Sequence, residues 1–255
     1  MDGDAAPFTS DWNEYGMSRF FAPIVLTVGQ TVSLPETIFH HWVRVLRAQV
    51  GDQATLFHGQ GGEFLVTLTE ISKKSAMVRV ESFDPIDRTP STLVTLGQVM
   101  SKGDRMDYAI QKATELGVHQ IQLLVSERCE MRLKYDRDQK KIEHWQQVAI
   151  AACEQCGMNR IPQILPPLPL EDWLQTVDQP RRFVMSLSSQ PVQPNFADQR
   201  PACVLVGPEG GLSEAEIVQC EQAGFVRWQL GQRVLRTETA PIVALAYLTA
   251  CDSFI

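Results

Sequence analysis

Two segments in the last fifty residues combine glycines, charges and a proline in ways that could do chemistry. In the first, the apolar run Cys203–Val206 leads into Gly207-Pro208-Glu209-Gly210-Gly211, followed by Leu212-Ser213-Glu214-Ala215-Glu216. Three glycines and a proline in five residues allow a sharp turn and close approach of the backbone to a ligand. A tight strand-to-helix connection with no ligand is the equal alternative. The spacing is not the GxGxxG of dinucleotide sites, nor the GxxxxGK[ST] of phosphate-binding loops. Ser213 and Glu216 are spaced as a capping box and mark a helix start.

The second segment is Leu230-Gly231-Gln232-Arg233-Val234-Leu235-Arg236-Thr237-Glu238-Thr239-Ala240-Pro241. It leaves a strand and enters a helix, with Thr239 or Ala240 as N-cap and a proline in the first turn. Arg233, Arg236, Thr237 and Glu238 crowd a strand end. Singly these would be solvated loop charges, but beside a second loop of the same kind they suggest a cleft. Upstream, Arg105, Lys112 and Glu115 can share one helix face, or simply form a solvated one. Residues 151–160 read as a helix end closed by Gly157. In the N-terminal third, Arg19, Arg44, Arg47, Lys73 and Lys74 suit phosphate contacts or an ordinary wet surface. Only Cys153 and Cys156 have ligand-like spacing. No second pair follows to complete a zinc set, so free thiols and no metal are expected. His40 and His41 are adjacent, point differently, and carry no catalytic or metal argument.

The elements that must hold these residues change character near residue 90. Short apolar or alternating runs at Ile24–Val28, Ala54–Phe57, Glu63–Leu68 and Ala76–Val80 predict strands, separated by turns such as Gly51-Asp52. Glu36–Leu46 places Ile38, Trp42, Val45 and Leu46 at helical spacing. A small barrel over 18–88, ending in the proline-containing linker 84–90, is the expectation. Beyond it, strands at Leu93–Val99, Ile121–Val125, Phe183–Leu187, Cys203–Val206 and Val226–Leu230 alternate with helices at Asp104–Leu116, Gln139–Cys156, from Ser213, and from about Pro241. That rhythm predicts a parallel sheet covered on both faces over 89–255, with ligands beyond the carboxyl ends of the strands.

The charge balance narrows the class. The chain has 255 residues, 23 basic and 30 acidic side chains, and a formal net charge of −7. A blanket polyanion coat is excluded, but a local basic site is not. Residues 1–17 hold four acidic and no basic groups and read as a flexible acidic tail, whereas 89–162 hold ten basic and nine acidic. No run approaches the apolar length of a membrane span, and no secretory leader is evident, so a cytoplasmic location is expected.

Six strings, in order, carry a resemblance: HHWVRVLR at 40–47, KGDRMDYAIQKATELG at 102–117, SERC at 126–129, AACEQCG at 151–157, GPEGGLS at 207–213 and LGQRVLRTETA at 230–240. Together they resemble the uridine-N3 methyltransferases of small-subunit (16S) ribosomal RNA, in the SPOUT superfamily, over roughly residues 17–250. Met158 departs, standing where the family commonly has arginine. The resemblance implies an α/β fold: a C-terminal parallel-sheet domain with a deep trefoil knot, plus a small N-terminal PUA-like β-barrel that binds RNA. It implies a homodimer acting on ribosomal RNA or the small ribosomal subunit, with S-adenosylmethionine as methyl donor. Carried residue by residue, Leu187, Gly207, Pro208, Glu209, Gly210, Gly211, Leu230, Gly231, Val234 and Leu235 would hold the cofactor. Arg236 would stabilise the uracil anion or position a phosphate, and Glu209 or Glu238 would remove the proton. Arg19, Arg44, Arg47, Lys102, Arg105, Lys112, Glu154 and Asn159 would face RNA. The rivals are a SPOUT enzyme acting on another RNA or base atom, and a catalytically silent RNA-binding assembly factor.

Overall fold

The computed structural model describes residues 17–131, 135–187, 194–195 and 197–249. The acidic tail before Met17 and Cys251 lie outside the described residues. The chain divides into two compact units, meeting at Ile86/Asp87.

The first unit is a five-stranded sheet in the order β1-β3-β4-β5-β2. Its strands are β1 (Ser18–Phe21), β2 (Thr31–Ser33), β3 (Gln53–Phe57), β4 (Glu63–Ile71) and β5 (Ala76–Asp84). β1 runs parallel to β3, and the other pairs are antiparallel. Alternation along β4 and β5 sends Phe64, Val66, Leu68, Ala76, Val78 and Val80 into one core. Two register shifts between these strands add local twist and bend the ribbon. The strand expected at Ile24–Val28 is absent. Thr27 and Gln30 close a turn there through a backbone bond of 3.1 Å, and the paired segments lie on either side of it.

The expected helix forms as α1 (Glu36–Ile38), which passes directly into a π-helical segment, Phe39–Val45. Its wider turns are seen in the Leu46 N–H bond to His41 O, five residues back. That winding changes the buried face. Ile38, Phe39, Trp42 and Val43 are buried, while Val45 and Leu46, expected inside, are exposed. Arg47 ends the segment with φ +61°, in the left-handed region that non-glycine residues rarely adopt.

The second unit is a six-stranded sheet, β11-β9-β10-β6-β7-β8, parallel throughout. Its strands are β6 (Val94–Val99), β7 (Gln120–Val125), β8 (Gln163–Pro169), β9 (Arg181–Met185), β10 (Ala202–Val206) and β11 (Val226–Trp228). The central strands β6 and β10 are buried at every position, as a sheet covered on both faces requires. On one face pack α2 (Arg105–Glu115), α3 (Tyr135–Cys156) and α6 (Ala240–Thr249), through Met106, Ile110, Trp145, Ala149, Ala244 and Leu245. On the other pack α4 (Leu170–Leu174) and α5 (Glu214–Gln222), through Trp173, Leu174, Ile217 and Cys220. Gly97 of β6 is required by this packing. A Cβ there would lie 2.3 Å from the Trp173 ring.

Two elements of this unit were not predicted. β8 carries Pro166, Pro167 and Pro169, and is tolerated because it is an edge strand bonded only to β7. α4 is a single short helix. The other predicted strands and helices form within a few residues of the expected bounds.

Candidate functional site

The ends of β9, β10 and β11 open onto a cleft of about 740 Å³. This is where an open parallel sheet binds its ligand, and the volume is that of a small-molecule site. Its walls are three loops: Met185–Leu187 after β9, Val206–Leu212 after β10, and Trp228–Glu238 after β11.

Each loop is set by identifiable bonds. The turn after β10 closes with Gly211 N–H donating to Pro208 O at 2.9 Å, and Gly211 sits at φ +69°, a position suited to glycine. α5 then starts with a complete capping box. The Ser213 Oγ accepts from Glu216 N–H, and the Glu216 Oε2 accepts from Ser213 N–H at 2.8 Å. The other oxygen of Glu216 accepts from Glu127 N–H at 2.8 Å, tying the cap to the loop after β7. From that loop Arg128 Nη1 donates to Gly210 O at 3.0 Å. The glycine turn is thus held from outside by the SERC segment, a role the sequence does not reveal because the partners are over 80 residues apart.

The third loop is joined to the second by a buried relay. Gln98 Nε2 donates to the Thr237 hydroxyl at 3.1 Å, which donates to Gly207 O at 2.8 Å. Gln98 and Thr237 are both buried. One hydroxyl therefore fixes the spacing between the glycine turn and the residues flanking Thr237, Arg236 and Glu238.

Charges ring the cleft. Arg105 Nη1 donates to Glu209 Oε1 at 2.5 Å. Arg236 is 80% exposed, and its nearest carboxylate oxygen, on Glu238, is 3.8 Å away. Two buried polar atoms on the wall, Trp228 Nε1 and Glu238 Oε2, have no partner among the described residues. Cys129 lies behind the site, where burial raises its thiol pKa and its S–H donates to Met100 O and Met131 O.

Of the residues expected at the cofactor, Leu187, Gly207, Pro208, Glu209, Gly210, Gly211, Leu230, Val234 and Leu235 line the cleft. Gly231 forms the turn behind them at φ +76°. Arg236 and Glu238 line it too, together with Arg105, which the sequence had assigned only to RNA. The remaining basic residues are dispersed. Lys102 pairs with Glu130 at 2.7 Å on the surface, and Lys112 pairs with Glu115 at 2.7 Å along α2. Glu154 is half-buried on α3. Asn159 is fully buried and accepts from Arg88 Nη1 at 2.8 Å, so it shapes the protein behind the surface. In the first unit Arg44 bonds to Lys73 O and stacks on Phe39, and Arg47 is exposed. Arg19 is turned inward, stacked 3.9 Å from the Phe57 ring centroid and paired with Glu63 at 3.3 Å. Its planar cation is engaged by these internal partners.

Among the described residues, no three His, Cys, Asp or Glu side chains gather to hold a metal, and no helix is long and apolar enough to cross a membrane. A doubly covered parallel sheet with a glycine-walled cleft at its strand ends defines an α/β small-molecule-binding protein. Comparison with known proteins makes this specific. The model of the RNA methyltransferase domain matches residues 88–249, and that of the RNA methyltransferase PUA domain matches 34–81. A ribosomal RNA small subunit methyltransferase E from Buchnera aphidicola is 33% identical over 232 residues, covering 90% of this chain and 94% of its own. The protein of the same name from Bacillus subtilis is 28% identical, covering 91% and 96%. The crystal structure of the Neisseria gonorrhoeae enzyme of that name, bound to S-adenosylmethionine, superposes with a TM-score of 0.87 at 38% identity, covering 94% and 100%. The chain belongs to the ribosomal RNA small subunit methyltransferase E family of RNA methyltransferases.

Proposed function

We propose that this protein transfers a methyl group from S-adenosylmethionine to N3 of a specific uridine in 16S ribosomal RNA of the small subunit. The observation that carries the reading is the cleft at the strand ends, where three loops converge around a space of small-molecule size. Apolar side chains of Met185, Leu187, Val206, Leu230 and Leu235 suit a nucleoside body. When bound, the cofactor supplies a methyl group activated on a sulfonium.

The chain's residues then have to hold the base in line with that methyl and remove one proton. Uracil N3 is a poor nucleophile until its proton is lost. Glu209, at the cleft wall and fixed by Arg105, is placed to accept that proton. Arg236, whose exposed guanidinium reaches the same cleft, is placed to stabilise the anion that forms or to hold a backbone phosphate. N3 lies on the pairing edge, so the uridine must be unpaired or extruded. Arg44, Arg47, Lys102 and Lys112 are the proposed RNA contacts.

Two structural expectations belong with this reading. We infer a homodimer, because α6 is apolar on every side. Ala240, Pro241, Ala244, Leu245 and Leu248 are buried, while Tyr247 faces outward. We also infer the deep trefoil knot, because the chain leaves β11 and returns past the 207–213 turn to pack α6 against β6 and β10.

Calorimetry with S-adenosylmethionine, followed by transfer of labelled methyl to unmodified small subunits, tests the proposal. Binding with incorporation into 16S RNA is expected. Absence of cofactor binding would establish the rival, a catalytically silent RNA-binding factor. Incorporation into another RNA would establish a different SPOUT specificity.

A further inference from the structure

Glu238 poses a problem that the proposed transfer does not solve. Its side chain is only 15% exposed, and one carboxylate oxygen is buried with no hydrogen-bond partner among the described residues. Burying a charged oxygen without a partner is among the more costly arrangements in a protein. Arg236 does not relieve it. At 3.8 Å the contact is beyond hydrogen-bond length, and the guanidinium is mostly in water. The backbone that carries Glu238 is held in place. The adjacent Thr237 is locked by Gly207 O and Gln98, and α6 begins two residues later. A mostly buried carboxylate with one unmet oxygen, on a residue that lines the ligand cleft, is complementary to a positive charge that arrives with the ligand.

We propose that Glu238 is the counter-ion for a cationic group of the bound cofactor. This rests on S-adenosylmethionine being the ligand, as proposed above. That molecule carries two candidate cations, a sulfonium and an α-ammonium, and either is matched by the carboxylate. The assignment removes Glu238 from the search for a base and leaves Glu209 in that role. Proton removal needs a carboxylate that the target base can reach, whereas Glu238 is enclosed beside the relay.

The test is calorimetry on the full-length protein, wild type and E238Q, with three probes. These are S-adenosylmethionine; S-adenosylhomocysteine, which lacks the sulfonium charge; and 5′-methylthioadenosine, which lacks both cations. E238Q keeps the shape and removes the charge. It is expected to weaken S-adenosylmethionine about tenfold or more, the usual scale for losing a charged hydrogen bond. Binding of 5′-methylthioadenosine should stay within about twofold, the tolerance for a site not in contact. If S-adenosylhomocysteine is unaffected, the partner is the sulfonium; if it weakens alongside, the partner is the α-ammonium. Equal weakening of all three probes would overturn the proposal, since it would mean a contact to the nucleoside or local damage. Unchanged S-adenosylmethionine affinity would overturn it as well, and with lost turnover would return Glu238 to the role of base. A wild-type protein that binds none of the probes would instead defeat the underlying functional reading.

Discussion

Replacing Thr237 with valine removes one hydroxyl while keeping side-chain volume and branching, and it strikes the point where two cleft loops meet. The wild-type hydroxyl donates to Gly207 O at 2.8 Å and accepts from Gln98 Nε2 at 3.1 Å. Gln98 keeps a second acceptor, Val99 O at 3.1 Å, so it is only partly deprived. Gly207 O loses the side-chain partner that fastens it to the third loop. Two net hydrogen bonds at roughly 1 kcal/mol each, plus part of the penalty for a carbonyl left without that partner, put the cost at about 2–3 kcal/mol. For a domain of this size that corresponds to a fall of roughly 5–10 °C in Tm. The loss should not be confined to stability. Arg236 and Glu238 flank Thr237, so slackening the relay should raise the Kd for S-adenosylmethionine and lower turnover in the cleft. T237S keeps the hydroxyl and should recover most of both. Thermal unfolding, cofactor calorimetry and single-turnover methyl transfer read the three effects. If T237V matches wild type in Tm, Kd and rate, the relay does not position the site. If T237S fails as badly as T237V, the lost methyl contacts, and not the hydroxyl, were responsible.

Three further outcomes are expected. R236A should abolish turnover with Tm unchanged, because an 80% exposed guanidinium contributes little to the fold; near-normal activity would remove Arg236 from the site. G97A should destabilise the second unit by at least about 1–3 kcal/mol, the usual cost of overpacking, since its methyl group meets the Trp173 ring at 2.3 Å. A Tm within a degree of wild type in thermal unfolding would refute that packing. In the native protein Cys153, Cys203 and Cys220 should resist thiol titration at pH 8, and react on unfolding. All three are buried, and burial pushes the Cys220 thiol up to about 12, so almost no thiolate forms. Rapid labelling of Cys220 in the folded state would contradict the buried environment.

What the sequence revealed depended on how local the signal was. The capping box of Ser213 and Glu216 and the apolar runs of β6 and β10 are encoded within a few residues, and each formed near its expected place. β8 escaped because prolines count against a strand unless its edge position is known, and that position is a property of the whole sheet. The helix at 36–46 was expected, but its buried face was not, because π winding breaks the 3.6-residue period. In the site, two of the three loop segments were legible from their glycines and charges, whereas Leu187 in the first came only from the family resemblance. Their fastenings were not. Gln98 lies 139 residues from Thr237, and Arg128 lies 82 from Gly210, so no spacing rule connects them. Arg19 and Asn159 look like surface polar residues until tertiary packing supplies Phe57, Glu63 and Arg88 as their partners.

The central claim is that the methyl group goes to N3 of one uridine. It is tested most directly by incubating the purified protein with S-adenosylmethionine and unmodified small ribosomal subunits, digesting the 16S RNA and identifying the methylated nucleoside by mass spectrometry. 3-Methyluridine is expected, close to one per subunit, at a single position. A methyl group on the ribose, on another base or on another ring atom would contradict it.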